Sequence, residues 1–89
     1  MPTISMFYGI IVQMFFADDA KHHEPHIHVR YQSDKAVISI LSGEILAGTM
    51  DKKKLKLIQA WAEIHYEDLL ADWELVCNYE LPFKIKPLD

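Results

Sequence analysis

The sequence predicts an α+β fold: a small antiparallel sheet of about four strands (residues 3–50), with a C-terminal helix or helix pair (residues 52–78) packed on one face. Two observations support this prediction. Before residue 50, short apolar stretches either alternate with polar residues or run continuously, as strands do. After residue 51, apolar residues recur at helical spacing. Strands followed by helix are typical of an antiparallel sheet covered on one side.

The first predicted strand lies within residues 3–16, where β-branched and aromatic residues are frequent. Apolar side chains occur at both parities, which indicates burial over much of both faces. Gly9 interrupts the stretch, and the stretch is long for one strand. Two strands around Gly9 are therefore the alternative.

The clearest strand follows Pro25, because apolar and polar residues alternate strictly there. Successive side chains of a strand point to opposite faces of the sheet. The apolar set is therefore predicted to face the helix, and the polar set to lie on the other face. The apolar positions are Ile27, Val29 and Tyr31, and the polar positions are His26, His28 and Arg30.

The remaining elements follow from alternation, turn residues and helical spacing. Residues 35–41 and 44–50 are predicted to be strands joined by a two-residue turn at Ser42-Gly43. Asp51 is a suitable N-cap, and Asn78 is a suitable helix end. One long helix, or two helices joined near His65, both fit the pattern. Asp72 is expected on a solvated acidic face, and residues 81–89 as an extended segment packed on the body.

Composition limits the classes of protein that fit. Eighty-nine residues, 51% of them hydrophobic, predict a single domain spanning residues 1–89. The net charge of −4 argues against general nucleic-acid binding. The single Cys77 gives no sign of an oxidising compartment. The first residues do not form a signal-peptide pattern, and no apolar run is long enough to span a bilayer, so a cytoplasmic protein is expected.

Several segments occur in a characteristic order: MPTISMFYGI, PHIHVRY, GEILAGTM, LIQAW, DLLADW and IKPL. On these segments, and over essentially its whole length, the chain resembles the bacterial Domain-of-Unknown-Function-4160 family, with PHIHVRY the most specific match. The resemblance implies a small protein that is encoded beside another small protein, in an arrangement similar to toxin–antitoxin cassettes. The chain departs from the family pattern at Glu24, where the family has Pro, and at Ile27, where the family has an aromatic residue.

The histidine-rich stretch suggests two kinds of chemistry. His26 and His28 project from one face and could share a divalent metal such as zinc, with further ligands from the preceding loop. The predicted metal ligands are Asp18, His22, His23, His26 and His28. Alternatively, the two imidazoles could act as base and acid beside Arg30, which would hold a phosphate. Partly exposed strand histidines without such a role are the third interpretation.

A cationic cluster, formed by Lys52, Lys53 and Lys54, lies at the predicted helix start, where phosphate binding would be favoured. The alternative is a solvated lysine face. Two functions follow from these patterns and from the resemblance. One is an interaction component of a two-gene cassette that binds a cognate small protein encoded nearby. The other is a histidine-dependent hydrolase or ribonuclease using His26 and His28, although the net charge does not support RNA binding. Homo-oligomerisation through a sheet edge is compatible with both.

Overall fold

The computed structural model describes residues 2–16 and 24–88 and confirms the α+β prediction. The strands of this part of the chain form one antiparallel sheet in the order β1-β2-β3-β4-β5, and two helices follow. The strands are β1 (Thr3–Phe7), β2 (Ile10–Gln13), β3 (His26–Tyr31), β4 (Asp34–Ser39) and β5 (Ile45–Gly48), and the helices are α1 (Lys52–Ile64) and α2 (Tyr66–Cys77).

The fifth strand arises because residues 3–13 form a hairpin, so the two-strand alternative for this stretch is confirmed. Phe7 pairs with Ile10, which leaves Tyr8 and Gly9 as a two-residue turn. Their φ angles are 49° and 78°. Positive φ at both turn residues matches the right-handed twist of the flanking strands, and glycine adopts it without steric strain.

The β4–β5 connection is longer than the predicted two-residue turn and runs over residues 40–44. Gly43 has a φ of 77°, as expected for a turn glycine, and its N–H donates to the Ser39 backbone oxygen at 2.9 Å. The Ser39 hydroxyl also accepts the backbone N–H of Ser42 at 3.2 Å. These bonds fold the connection back on the end of β4.

The helical region is interrupted at His65, which confirms the helix-pair alternative. The Asp51 carboxylate accepts the Lys54 N–H at 3.1 Å, so the predicted N-cap is also present. His65 ends α1 with φ −106° and ψ 26°, although its N–H still bonds to the Trp61 backbone oxygen. The irregularity is therefore confined to His65, and α2 begins as a separate helix directly after it. Within the described chain, neither helix has the length and apolar character that crossing a bilayer requires.

The core lies between α1 and the sheet face that carries Ile27 and Val29, both almost fully buried. Trp61 is fully buried on α1, and its ring centroid lies 5.2 Å from that of Phe7 in β1. The C-terminal segment closes this side of the molecule. The Ile85 N–H donates to the backbone oxygen of Ile4 at 2.8 Å, and the Trp61 indole N–H donates to that of Lys86 at 2.9 Å. The predicted packing of this segment on the body is therefore present at Ile85 and Lys86.

Candidate functional site

The polar residues of β3 share a sheet face with parts of β2, β4 and β5, and we call this surface the outer face. His28 lies directly opposite Gln13 of β2 and Val37 of β4, and Val37 lies opposite Ala47 of β5. The outer face is defined by Ile11, Gln13, Phe15, His26, His28, Arg30, Lys35, Val37 and Ala47.

His26 occupies the covered end of the outer face and is only 1% exposed. Its Nδ1–H donates to the backbone oxygen of Glu24 at 2.8 Å. The Glu24 carboxylate in turn accepts the Ser39 hydroxyl at 2.6 Å, so Glu24 is tied to β4. Glu24 therefore fixes the orientation of the His26 imidazole. This role of Glu24 was not predicted from the sequence.

A series of ring contacts surrounds the histidine pair. The ring centroids of His26 and His28 lie 5.2 Å apart, and the His28 ring stacks on Phe15 at 4.0 Å. The ring of Trp73, in α2, lies 4.7 Å from that of His26. The prediction that the polar face of β3 points away from the helices is therefore wrong at the His26 end. The interruption at His65 allows α2 to bring Trp73 to the start of β3.

The Arg30 end of the outer face is open. A pocket of about 350 Å³ lies over it, and its basic groups are Arg30, Lys35 and His28. Among the described residues, no carboxylate lines this pocket. The complete lining is Gln13, Phe15, His28, Val29, Arg30, Lys35, Ala36, Val37, Ala47 and Gly48.

The predicted catalytic residues are thus brought to one face, but they differ in access. His26 and His28 are in ring contact, as their spacing predicts. Arg30 is exposed and shares the pocket with His28, whereas His26 is buried beside Trp73. Their roles as acid, base and phosphate ligand stay a prediction.

The predicted metal site falls partly outside the described residues, because Asp18, His22 and His23 belong to residues 17–23. Within residues 2–16 and 24–88, no three His, Cys, Asp or Glu side chains lie close enough together to hold a metal. His26 and His28 have the adjacent imidazoles that two ligands of one ion need. The metal site stays a prediction.

The three predicted phosphate-binding lysines lie in the first turn of α1, away from the outer-face pocket. Lys52 and Lys53 are exposed, and the Lys54 Nζ lies 5.1 Å from the centroid of the Tyr31 ring. This geometry is a cation–π contact. None of the three lines the pocket at Arg30. Phosphate binding by these lysines also stays a prediction.

Asp72 differs from its expected place on a solvated helix face, since it is only 3% exposed. Its Oδ1 accepts the N–H of Phe83 at 2.9 Å, which ties the C-terminal segment to α2. Burial raises the pKa of this carboxyl, the bond from Phe83 opposes the rise, and the charge of Asp68 adds to it. The helical pattern alone could not reveal this contact, because the C-terminal segment, not the sheet, covers Asp72.

A second surface was not predicted and involves exposed apolar residues. Tyr79 follows the C-cap Asn78, and Leu81 and Phe83 lie in the segment beyond. We call Tyr79, Leu81 and Phe83 the apolar segment, and they are 87%, 80% and 74% exposed. Phe16 continues this surface, with its ring 6.2 Å from that of Tyr79 and 6.5 Å from that of Trp73. The apolar residues of the tail predict packing on the body, and at Leu81 and Phe83 this prediction is wrong.

A protein-family model, that of the domain of unknown function DUF4160, matches residues 9–74. The chain belongs to the DUF4160 family. The matched range runs from Gly9 to Glu74 and therefore includes β2–β5, α1, the outer face and Trp73. The apolar segment of this DUF4160 protein lies beyond that range. Comparisons with curated proteins and with solved structures give no match.

Proposed function

We propose that this DUF4160 protein is the interaction component of a two-gene, toxin–antitoxin-like cassette, and that it binds a cognate small protein encoded nearby, in the cytoplasm. The exposure of the apolar segment is the observation that supports this proposal. Leu81 is 80% and Phe83 74% exposed, although both are large apolar side chains. Contiguous exposed apolar residues mark surfaces at which proteins associate.

Tyr79 supports the proposal through its backbone. α2 ends in a Schellman motif, in which the Tyr79 N–H bonds to the Val76 oxygen at 3.1 Å and the Glu80 N–H bonds to the Leu75 oxygen at 2.9 Å. The residue in the Tyr79 position is usually glycine, because it has a positive φ, here 61°. A non-glycine residue there costs about 1 kcal/mol. Keeping an exposed tyrosine at such a cost is typical of a residue with a binding role.

The surface extends beyond the apolar segment to Phe16, which is 41% exposed and whose ring lies 6.2 Å from that of Tyr79. Tyrosine, tryptophan and phenylalanine are enriched in the centres of protein interfaces, where they bury large areas with few rotatable bonds. A partner with an apolar groove would therefore find several aromatic side chains within one contact area.

The proposal is tested by co-purification and calorimetry with the product of the adjacent gene, using Tyr79→Gly and a matched control. We expect Tyr79→Gly to weaken association by about tenfold or more, as removal of a central interface tyrosine does. The same variant should unfold at higher urea concentration, because glycine relieves the positive φ. The control is Leu41→Ser, which removes an apolar side chain that is 55% exposed in the β4–β5 connection.

Two results would contradict the proposal. One is the absence of association at micromolar concentration between the unmodified protein and its neighbour. The other is equal weakening by Tyr79→Gly and Leu41→Ser. Sedimentation of the protein alone, over a range of concentrations, separates partner binding from homo-oligomerisation through a sheet edge.

The second candidate is a histidine-dependent hydrolase or ribonuclease, with or without a divalent metal such as zinc. It is favoured by the joint presence of His28 and Arg30 in the outer-face pocket and by the contact of His28 with His26. We expect untagged protein to cleave RNA, and His28→Ala to lose this activity while keeping its fold. Metal content of both proteins, measured without chelator, separates the metal-dependent mechanism from the metal-free one. A folded His28→Ala variant with full activity would eliminate this candidate.

A further inference from the structure

Two basic residues face each other directly across the outer face. Arg30 of β3 and Lys35 of β4 are register partners, and both are exposed. Like charges at directly opposed strand positions destabilise a sheet. The chain has 13 acidic and nine basic residues, so an acidic residue opposite Arg30 or Lys35 would be expected more often than a second basic one. Among the described residues, the pocket has no such carboxylate.

The same pocket combines this charge with an apolar wall. Phe15, Val37 and Ala47 line it together with Arg30 and Lys35. Gln13 and His28 add polar groups that can donate hydrogen bonds. A volume of about 350 Å³ lies in the range of small-molecule sites, which are mostly apolar with a few placed polar groups. The lining therefore suits an anionic group attached to an apolar body.

The backbone beneath Lys35 is held in place by β5. The Thr49 N–H donates to the Lys35 oxygen at 3.0 Å, and Gly48 has a φ of 81°. A Cβ on Gly48 would overlap that Lys35 oxygen. The close approach of β5 thus requires glycine, and it fixes Lys35 opposite Arg30. A like-charge pair on a fixed backbone gains stability when an anion binds between the two charges.

We propose that the outer-face pocket binds a phosphate group carried on an apolar or aromatic body, as in a nucleotide, with Arg30 and Lys35 as the phosphate ligands. The arginine guanidinium can hold two phosphate oxygens, and the lysine ammonium adds a point charge. The apolar body lies against Phe15 and Val37. This function is separate from partner binding by the apolar segment, and it does not require catalysis by His28.

The experiment is a calorimetric and NMR titration of the purified protein with AMP, with adenosine and with a short single-stranded RNA. We expect AMP to bind, adenosine to bind at least about tenfold more weakly, and the affinity for AMP to fall as salt is added. Relative affinities for AMP and the RNA identify whether the phosphate comes from a free nucleotide or from a polynucleotide. Equal affinity for AMP and adenosine would overturn the proposal.

Charge variants locate the site. Arg30→Gln and Lys35→Gln should each weaken AMP binding by about tenfold. Lys84→Gln is the matched control, because it removes one exposed positive charge outside the pocket and should leave the affinity unchanged. If Lys53→Gln weakens binding and Arg30→Gln does not, the phosphate lies at the start of α1 and the proposal is wrong.

The variant Lys35→Glu distinguishes a loss of AMP binding from a loss of folding. It converts the like-charge pair into an opposite-charge pair, so the unfolding temperature should rise while AMP binding is lost. A residue with a purely structural role would not change stability and binding in opposite directions. Retained binding, or loss of stability, in this variant would overturn the assignment of Lys35.

Discussion

The two ends of the polar face of β3 have the same sequence pattern and opposite environments. His26 is buried between His28 and Trp73, and Glu24 orients its ring. Arg30, four residues further along, is exposed beside an open pocket. Alternation places both side chains on the outer face, but α2 covers only one end. The His26 end is therefore enclosed by other side chains, whereas the Arg30 end is accessible from solvent.

The largest expected effect is on the free energy of unfolding, and it should differ between the two ends. His26→Ala should lower the free energy of unfolding by about 2–4 kcal/mol, because it leaves a cavity beside Trp73 and removes the bond to Glu24. Arg30→Ala should change it by no more than about 0.5 kcal/mol, since its side chain is exposed. Urea unfolding of both variants measures the difference. Equal loss at both positions would mean that burial does not distinguish the two ends.

The next effect concerns the backbone at the open end. Gly48→Ala should lower the free energy of unfolding by about 1–3 kcal/mol, because the added Cβ overlaps the Lys35 oxygen and the φ is positive. Gly43→Ala is the control: it has a similar φ, but its Cβ would meet only the Gln59 side chain at 3.7 Å. The Gly48 variant should therefore be the less stable of the two. Equal urea midpoints would show that β5 does not need the close approach.

The smallest effect concerns Asp72 in α2 and depends on pH. Burial raises the pKa of Asp72 in the folded protein above its unfolded value, so folding favours the protonated carboxyl. Stability from this group is fully present below the unfolded pKa and is lost as the pH rises through the folded pKa. Asp72→Asn keeps the acceptor for the Phe83 N–H and does not ionise.

At neutral pH, Asp72→Asn should therefore be more stable than the unmodified protein, by a few tenths of a kcal/mol up to about 1 kcal/mol. The gain should disappear in acid, where Asp72 is protonated in both states. Urea midpoints measured from about pH 3 to about pH 8 test this sign. Glu44→Gln, at an exposed position in the β4–β5 connection, is the control for the general loss of one negative charge. A gain that is independent of pH would contradict the explanation.

Much of the fold followed from local rules. The helix cap at Asp51 and the end of α2 near Asn78 depend on residues adjacent in the chain, and both were predictable. The pairing of Arg30 with Lys35 could also be predicted from the sequence. The two-residue turn at Gln32-Ser33 fixes the register of β3 against β4, and with it the facing charges.

The sequence by itself determined the order of the elements, the two faces of β3 and the presence of His26, His28 and Arg30 on one of them, because side-chain direction in a strand has a period of two. Only the tertiary structure decided which of these side chains is covered. That outcome depends on where α2 carries Trp73, where the C-terminal segment meets Asp72, and which apolar residues remain exposed at Tyr79 and beyond. Contacts between residues distant in the chain have no period that a local pattern can reveal.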